Sequence, residues 1–377
     1  MPPNLRCRLA MALVPLRRSR LALAGALLLF LVSLDALLLV ASSPDAAAVP
    51  LVGLTQEVAV SAGTGHVYLP LVATYAVAAL DARSPRLLAA VALPDGFLGA
   101  AAVNPVTEHV YVATLRDSLA VVSGATNTVL GAVPLTAVPI GIAVSSSPNR
   151  VYVTTRDSDH LTTAGVLVVL DGNRDTVLAR VTVGVAPLGV ALNPVTNRVY
   201  VANTGSDTVS VIDARTYQTI ATVPVGYSPR YVGANARTNR VYVSYQGSQS
   251  LSVLDGSSNA VMGGIAIQGE PGEVVVNEAT NRVYVTGTSP GLVTVLDGAR
   301  DRVLTSLKLG PAPWGLAVDP ARNVVYVTDE LDNSVWAIQE HRFGLPTAHL
   351  LARSTTHPQS STAPSASCHC DEPGSIP

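Results

Sequence analysis

A few polar or aromatic side chains interrupt a repeated and otherwise apolar pattern in this sequence. They are Glu57, Arg230, Tyr231, Glu273 and Trp314, at equivalent places in successive repeats, where most other repeats have small or apolar residues. Two carboxylates could bind a hard cation together with neighbouring oxygen ligands. In a hydrolase, a carboxylate could act as a general base and an arginine could stabilise an oxyanion. These five residues are therefore the first candidates for a binding site.

Asp159 and His160 are further candidates, because they lie in a segment that is longer than in the other repeats. The interval from Tyr152 to Asp171 clearly exceeds the equivalent interval from Tyr200 to Asp213 in the next repeat. Long loops on a rigid scaffold often carry function, although a polar loop can equally be solvated surface. Lactone hydrolysis would need a base and an oxyanion-stabilising group within hydrogen-bond reach. No spacing argument brings His160 to the other candidates.

The element that positions these residues is a repeat, marked by a tyrosine within an apolar segment. The tyrosine recurs seven times at a nearly constant interval, which is longest in the third repeat. The seven tyrosines are Tyr68, Tyr111, Tyr152, Tyr200, Tyr242, Tyr284 and Tyr326. In most repeats an Asp follows the tyrosine at a fixed distance, as Asp213 follows Tyr200, and is expected to cap a turn. In five repeats a proline precedes the tyrosine at a fixed distance, as Pro187 does.

Each repeat contains four short segments rich in β-branched residues, bounded by Asn, Asp, Gly or Pro, which is typical of strands. Four antiparallel strands in each unit of about 40–45 residues are typical of a propeller blade. The sequence therefore predicts an all-β, seven-bladed β-propeller over residues 49–341. The last repeat lacks a clear fourth strand, and residues 48–53 resemble one. We therefore expect this N-terminal strand to complete the seventh blade.

Residues 1–48 have the features of a targeting segment. Five arginines precede an apolar run from Leu21 to Val40, and Ala46 and Ala48 form a plausible cleavage site. The segment is either a signal peptide or, if it is not cleaved, a single membrane-spanning anchor. Both alternatives predict export, to the extracellular space or the cell surface. Residues 342–377 are rich in Ser, Thr and Pro, and we expect a flexible tail.

Charge and cysteine content exclude several functions. Residues 1–48 contain five of the 24 basic and two of the 26 acidic side chains, which leaves 19 basic against 24 acidic. Such a balance disfavours a nucleic-acid partner. The cysteines are Cys7, Cys368 and Cys370, so the sequence has no haem-binding Cys-x-x-Cys-His motif. Cys368-His369-Cys370 could hold a metal, but no other ligand is nearby. The cofactor is unknown.

The repeat resembles the YVTN-type β-propeller family. The segment from Pro187 to Val201, with Asn-Pro-Val-Thr-Asn-Arg-Val-Tyr-Val, is nearly an ideal copy. The resemblance implies a propeller of the lactonase-like or quinoprotein-like kind, commonly exported, without a universal active site. We therefore expect a non-catalytic binding protein whose loop face takes a protein, glycan or small molecule. The alternative is a lactonase-like hydrolase that uses polar residues at the central channel.

Overall fold

The computed structural model describes residues 57–353, except 85, 94–95, 97–98, 158–161 and 342–343. Seven sheets follow one another along the chain, each of four antiparallel strands paired in sequence order. The predicted seven-bladed β-propeller is thereby confirmed. The described residues include no helix. Accordingly, none of their elements is a helix of membrane-spanning length and hydropathy.

The first three blades occupy residues 59–185. Blade 1 consists of β1 (Ala59–Ser61), β2 (His66–Leu71), β3 (Ala76–Asp81) and β4 (Leu87–Ala92). Blade 2 consists of β5 (Ala101–Val103), β6 (His109–Ala113), β7 (Ser118–Ser123) and β8 (Thr128–Pro134). Blade 3 consists of β9 (Val138–Ser146), β10 (Asn149–Arg156), β11 (Ala164–Asp171) and β12 (Thr176–Val185).

The remaining four blades occupy residues 187–353. Blade 4 consists of β13 (Pro187–Asn193), β14 (Arg198–Asn203), β15 (Thr208–Asp213) and β16 (Thr219–Pro224). Blade 5 consists of β17 (Pro229–Asn235), β18 (Arg240–Tyr245), β19 (Ser250–Asp255) and β20 (Val261–Ala266). Blade 6 consists of β21 (Pro271–Asn277), β22 (Arg282–Gly287), β23 (Leu292–Asp297) and β24 (Arg302–Lys308). Blade 7 consists of β25 (Pro313–Asp319), β26 (Val324–Asp329), β27 (Ser334–Gln339) and β28 (Thr347–Arg353).

The repeated tyrosines lie in the second strands, where they pack one blade against the next. All seven are among the largest fully buried side chains of the described residues. The hydroxyl of Tyr68 donates to the Gly124 carbonyl of blade 2 at 3.0 Å, and that of Tyr242 donates to Asp301 of blade 6 at 2.8 Å. A tyrosine combines a large apolar area with a polar tip that usually finds a partner, although the hydroxyl groups of Tyr152, Tyr200 and Tyr284 are buried without one among the described residues. Because each tyrosine packs at an interface between blades, the interval between successive tyrosines corresponds to one blade.

The Asn residues of the repeat also join neighbouring blades. Asn235 closes a first strand, and its amide donates to the Asn281 side chain of the next blade at 2.8 Å. Asn193 and Asn239 form the same bond between blades 4 and 5, at 2.9 Å. Asn239 and Asn281 adopt φ values of 53° and 56°, in the left-handed region that Asn tolerates better than most residues. The Asn residues of the motif thus serve turns and blade contacts.

The ring closes through side chains of blades 7 and 1. The first strands of successive blades contact one another, and β25 contacts β1. One apolar cluster joins Val58 and Leu69 to Val335, Leu351 and Ala352. The Tyr326 hydroxyl donates to the Ala82 carbonyl at 3.1 Å. Closure therefore depends on packing between two blades that are each formed by a continuous stretch of chain.

The expectation that residues 48–53 complete the seventh blade is wrong. The place beside β27 is occupied by β28, from the segment that the sequence assigned to a flexible tail, and its register pairs Ser334 with Arg353 and Gln339 with Thr347. The blade therefore extends to residue 353, beyond the expected boundary at 341. The physical reason is apolar burial, because Leu351 and Ala352 reach the cluster shared with blade 1. Residues 48–53 and 354–377 lie outside the described residues.

Replacement of Leu351 by Ala tests this closure. We expect the variant to lower the free energy of unfolding by about 2–4 kcal/mol, because it removes buried methyl groups from the seam between blades 7 and 1. The matched control is Leu350→Ala on the same strand, because Leu350 is 43% exposed and should change stability by about 0.5 kcal/mol or less. Chemical denaturation measures both. Equal losses in the two variants would contradict closure through β28.

Candidate functional site

A central cavity of about 500 Å³ lies between the first strands of the blades. The side chains of its lining residues are mostly aliphatic, as at Ile142, Val190 and Val275, but more than half of its accessible surface is polar. Tyr231, Glu57 and Glu273 are the lining residues with a phenol or carboxyl group. This volume is typical of small-molecule sites. The structure thus brings three of the candidates predicted from the sequence to one cavity.

Bulges at the start of the first strands present these side chains. In blade 6 the pairing jumps from Pro271–Gly287 to Val274–Val285, so Gly272 and Glu273 together oppose Thr286. Blade 5 has the same irregularity between Pro229 and Val232. Such a bulge redirects side chains that regular pleating would place otherwise. The bulges explain why the two positions after the repeat proline carry the exceptional residues.

A hydroxyl on the second strand holds each of these bulges. The Glu273 backbone N–H donates to Thr286 Oγ1 at 2.9 Å, and the Tyr231 N–H donates to Ser244 Oγ at 3.2 Å. Thr286 in turn donates to the Trp314 carbonyl of blade 7 at 3.0 Å. The sequence analysis missed these positioning residues. Their signal is a Ser or Thr at the second position after the repeat tyrosine, as at Thr154 and Thr328.

The two carboxyl groups of the cavity favour the protonated state. Burial is the main cause that raises the pKa of Glu57 well above its ordinary value, and the nearby Glu273 raises it further. Burial also raises the pKa of Glu273 to about 8, against a smaller opposing effect from the Leu316 N–H. That N–H donates to Glu273 Oε2 at 2.6 Å. No ion pair of the described residues includes either carboxyl group.

Arg230 and Trp314 stack beside Tyr231. The Arg230 guanidinium lies 5.6 Å from the Tyr231 ring centroid and 5.4 Å from that of Trp314, a geometry that favours cation–π attraction. Its Nη1 is also 3.8 Å from Glu270 Oε1. Burial raises the pKa of Tyr231, and the charges of Glu57 and Glu273 raise it further. The phenol therefore remains a hydrogen-bond donor at ordinary pH.

The sequence analysis also pointed to Asp159, His160 and the repeated Asp residues. Asp159 and His160 lie outside the described residues. The repeated Asp is a turn cap, as predicted: Asp213 Oδ1 accepts the N–H groups of Arg215 and Thr216 at 2.8 and 2.9 Å. His109 pairs with Asp175 of the next blade at 2.9 Å, which indicates a structural role.

The part of the chain that the structure describes offers few ligands for a metal ion. There, no three His, Cys, Asp or Glu side chains converge in a way that could hold an ion. Glu57 and Glu273 would be two carboxylates without a third. Hard divalent cations take six or more oxygen ligands. A metal at this place would need ligands from water or from a bound molecule.

Comparisons with known proteins identify the fold and leave the family open. No protein-family model matches the chain, and none of the curated proteins matches it. The chain is similar to a solved structure, hydrazine synthase of Kuenenia stuttgartiensis, with a TM-score of 0.68 and 15% sequence identity over 78% of this chain and 97% of that one. At this identity the likeness shows the fold alone. Membership in the YVTN-type family stays a prediction.

The acid pair should leave a signature in the pH dependence of stability. Glu273 has a pKa of about 8 in the folded protein, above the ordinary 4.5, so the folded state binds its proton more tightly. The protonated Glu273 makes its full contribution to the free energy of unfolding at about pH 4. This contribution is lost as pH rises through about 8. We therefore expect Glu273→Gln to raise the melting temperature by about 2–6 °C at about pH 8.5, with little effect at about pH 5.

Differential scanning calorimetry at the two pH values measures this effect. The matched control is Glu278→Gln, an exposed carboxylate in the same blade. Its substitution should shift the melting temperature by the same small amount at both pH values. A shift for Glu273→Gln that does not depend on pH would show that its carboxyl group titrates normally in the folded protein.

Proposed function

We propose that this protein is a binding protein that takes a small molecule into the central channel of its propeller. The observation that carries the proposal is a central cavity of about 500 Å³, a volume typical of small-molecule sites. Three side chains with a phenol or carboxyl group converge on it. Tyr231, Glu57 and Glu273 would orient the ligand. Among protein, glycan and small-molecule ligands, the cavity favours the last.

Hydrolysis of a lactone is the competing function, favoured by the raised pKa of Glu273. A carboxyl group that titrates near pH 8 could act as a general acid. Acyl transfer also needs a nucleophile or activated water and donors aimed at the developing oxyanion. The cavity lining contains no His, Cys, Ser, Lys or Arg side chain among the described residues. Binding without turnover is therefore the function that we propose.

We further propose that the propeller works outside the cytoplasm. The support is the sequence of residues 1–48, with arginines before an apolar run and small residues after it. A fusion to a phosphatase that is active only after export should show activity with these residues present and none without them. Phosphatase activity confined to the form that lacks residues 1–48, or absent from both forms, would contradict export.

A bulky side chain at the channel wall tests the site. Leu188 lines the cavity without joining any of the apolar clusters between blades, so Leu188→Trp should narrow the channel and leave blade packing intact. In a thermal-shift screen of small molecules, ligands that stabilise the wild-type protein should lose at least about tenfold in affinity for this variant.

The matched control is Leu331→Trp, because Leu331 is 66% exposed in blade 7 and should keep wild-type affinity. Ligands that bind the two variants equally would place binding outside the channel. A screen without any stabilising molecule would overturn the proposed function. Lactone hydrolysis above background that disappears in Glu273→Gln would replace it with the hydrolase.

A further inference from the structure

The ligand class follows from two buried acidic groups that share the cavity. Glu57 precedes β1 in blade 1, and Glu273 lies in β21 of blade 6, yet both carboxyl groups line the same space. The charge of Glu273 contributes to the raised pKa of Glu57, so the two groups are within electrostatic reach. Like charges in a site of low polarity disfavour each other. A positive group between them would relieve both.

The described residues supply no such positive group. Arg230 is the nearest candidate, but its guanidinium stacks on Tyr231 and Trp314 and approaches Glu270. No described ion pair reaches Glu57 or Glu273. The hydrogen bond from the Leu316 N–H occupies Glu273 Oε2. The chain therefore presents two acidic groups to the cavity without a counter-ion of its own.

The rest of the cavity favours an organic cation over a metal ion. Hard divalent cations need several oxygen ligands, and the described residues bring no third carboxylate, His or Cys to this place. The cavity of about 500 Å³ has room for an organic molecule, and its surface combines polar atoms with a smaller apolar area. The apolar part can stabilise hydrocarbon in proportion to the area removed from water.

We propose that the channel binds an organic monocation, with its ammonium group between Glu57 and Glu273 and the rest of the molecule in the channel. This inference rests on the proposed function and names the ligand class. Tyr231 lines the same cavity, and its hydroxyl can accept a hydrogen bond from the ammonium group. A bound cation favours the ionised carboxyl groups, an anion would be repelled by them, and a neutral molecule would leave them protonated.

Calorimetric titration of the purified chain with three probes of equal size tests the inference. The probes are n-hexylammonium, 1-hexanol and hexanoate. We expect hexylammonium to bind at least about tenfold more tightly than the other two at about pH 8.5. This preference should weaken at about pH 6, because protons then compete for the carboxyl groups. Glu57, Glu273 and Tyr231 are the titratable groups on the cavity wall, with Arg230 and Glu270 beyond them.

Variants separate the charge effect from channel binding. Glu57→Gln and Glu273→Gln should each reduce the preference for hexylammonium over hexanol, and the double variant should abolish it. Glu278→Gln should retain the preference, because Glu278 is exposed and outside the cavity lining. Leu188→Trp should weaken hexylammonium and hexanol alike, which reports on the channel itself.

Three outcomes would overturn the inference. Equal affinities of wild-type protein for hexylammonium and hexanol, both weakened in Leu188→Trp, would remove the cation preference and leave channel binding in place. Binding of Ca²⁺ or Mg²⁺ that disappears in the double variant would assign the acids to a metal. Hexylammonium binding that persists in both Leu188→Trp and the double variant would remove the channel site, and the proposed function would fail with it.

Discussion

Burial of both faces of every sheet is the constraint on which this structure depends. A four-stranded sheet of this length cannot form a core alone, so each blade packs against two neighbours. The repeated tyrosines supply these contacts, and Asn–Asn hydrogen bonds add to them at several interfaces. A ring satisfies the constraint at every blade, provided that the last interface is as good as the others. The apolar cluster that joins Val58 and Leu69 to Leu351 provides this last interface, between blades 7 and 1.

The sequence predicts the blades because each strand type has a clear pattern, and it fails at the outer strand of blade 7 for a physical reason. Outer strands are half-exposed, so their composition is weakly constrained. In β20, for example, Val261 and Met262 are exposed and two glycines follow. Residues 48–53 match the usual pattern better than β28 does. Pairing with β27 needs only a few buried side chains, which Leu351 and Ala352 provide.

The positions of the candidate residues can be predicted from the sequence, but their arrangement around one cavity cannot. Glu273 and Tyr231 stand out from sequence alone because equivalent places in most other repeats are small, as at Gly141 and Gly189. Their arrangement around a shared cavity depends on the bulges and on ring closure. Glu57 and Glu273 belong to the first and the sixth repeat, far apart in the sequence. Blade 7 lies between their blades along the ring, so no spacing rule can bring them together.

The residues that recur in most repeats build the ring, whereas the cavity acids are specific to a few repeats. An Asp that caps a turn or an Asn that bonds to the next blade recurs in several repeats and serves the same turn or interface each time. Glu occupies the position of Glu57 and Glu273 in two of the seven repeats, and both side chains oppose stability when ionised, since burial favours their neutral forms. Sequences depart from local consistency mainly at functional or strained sites. The ring can tolerate this cost because its stability comes from seven interfaces.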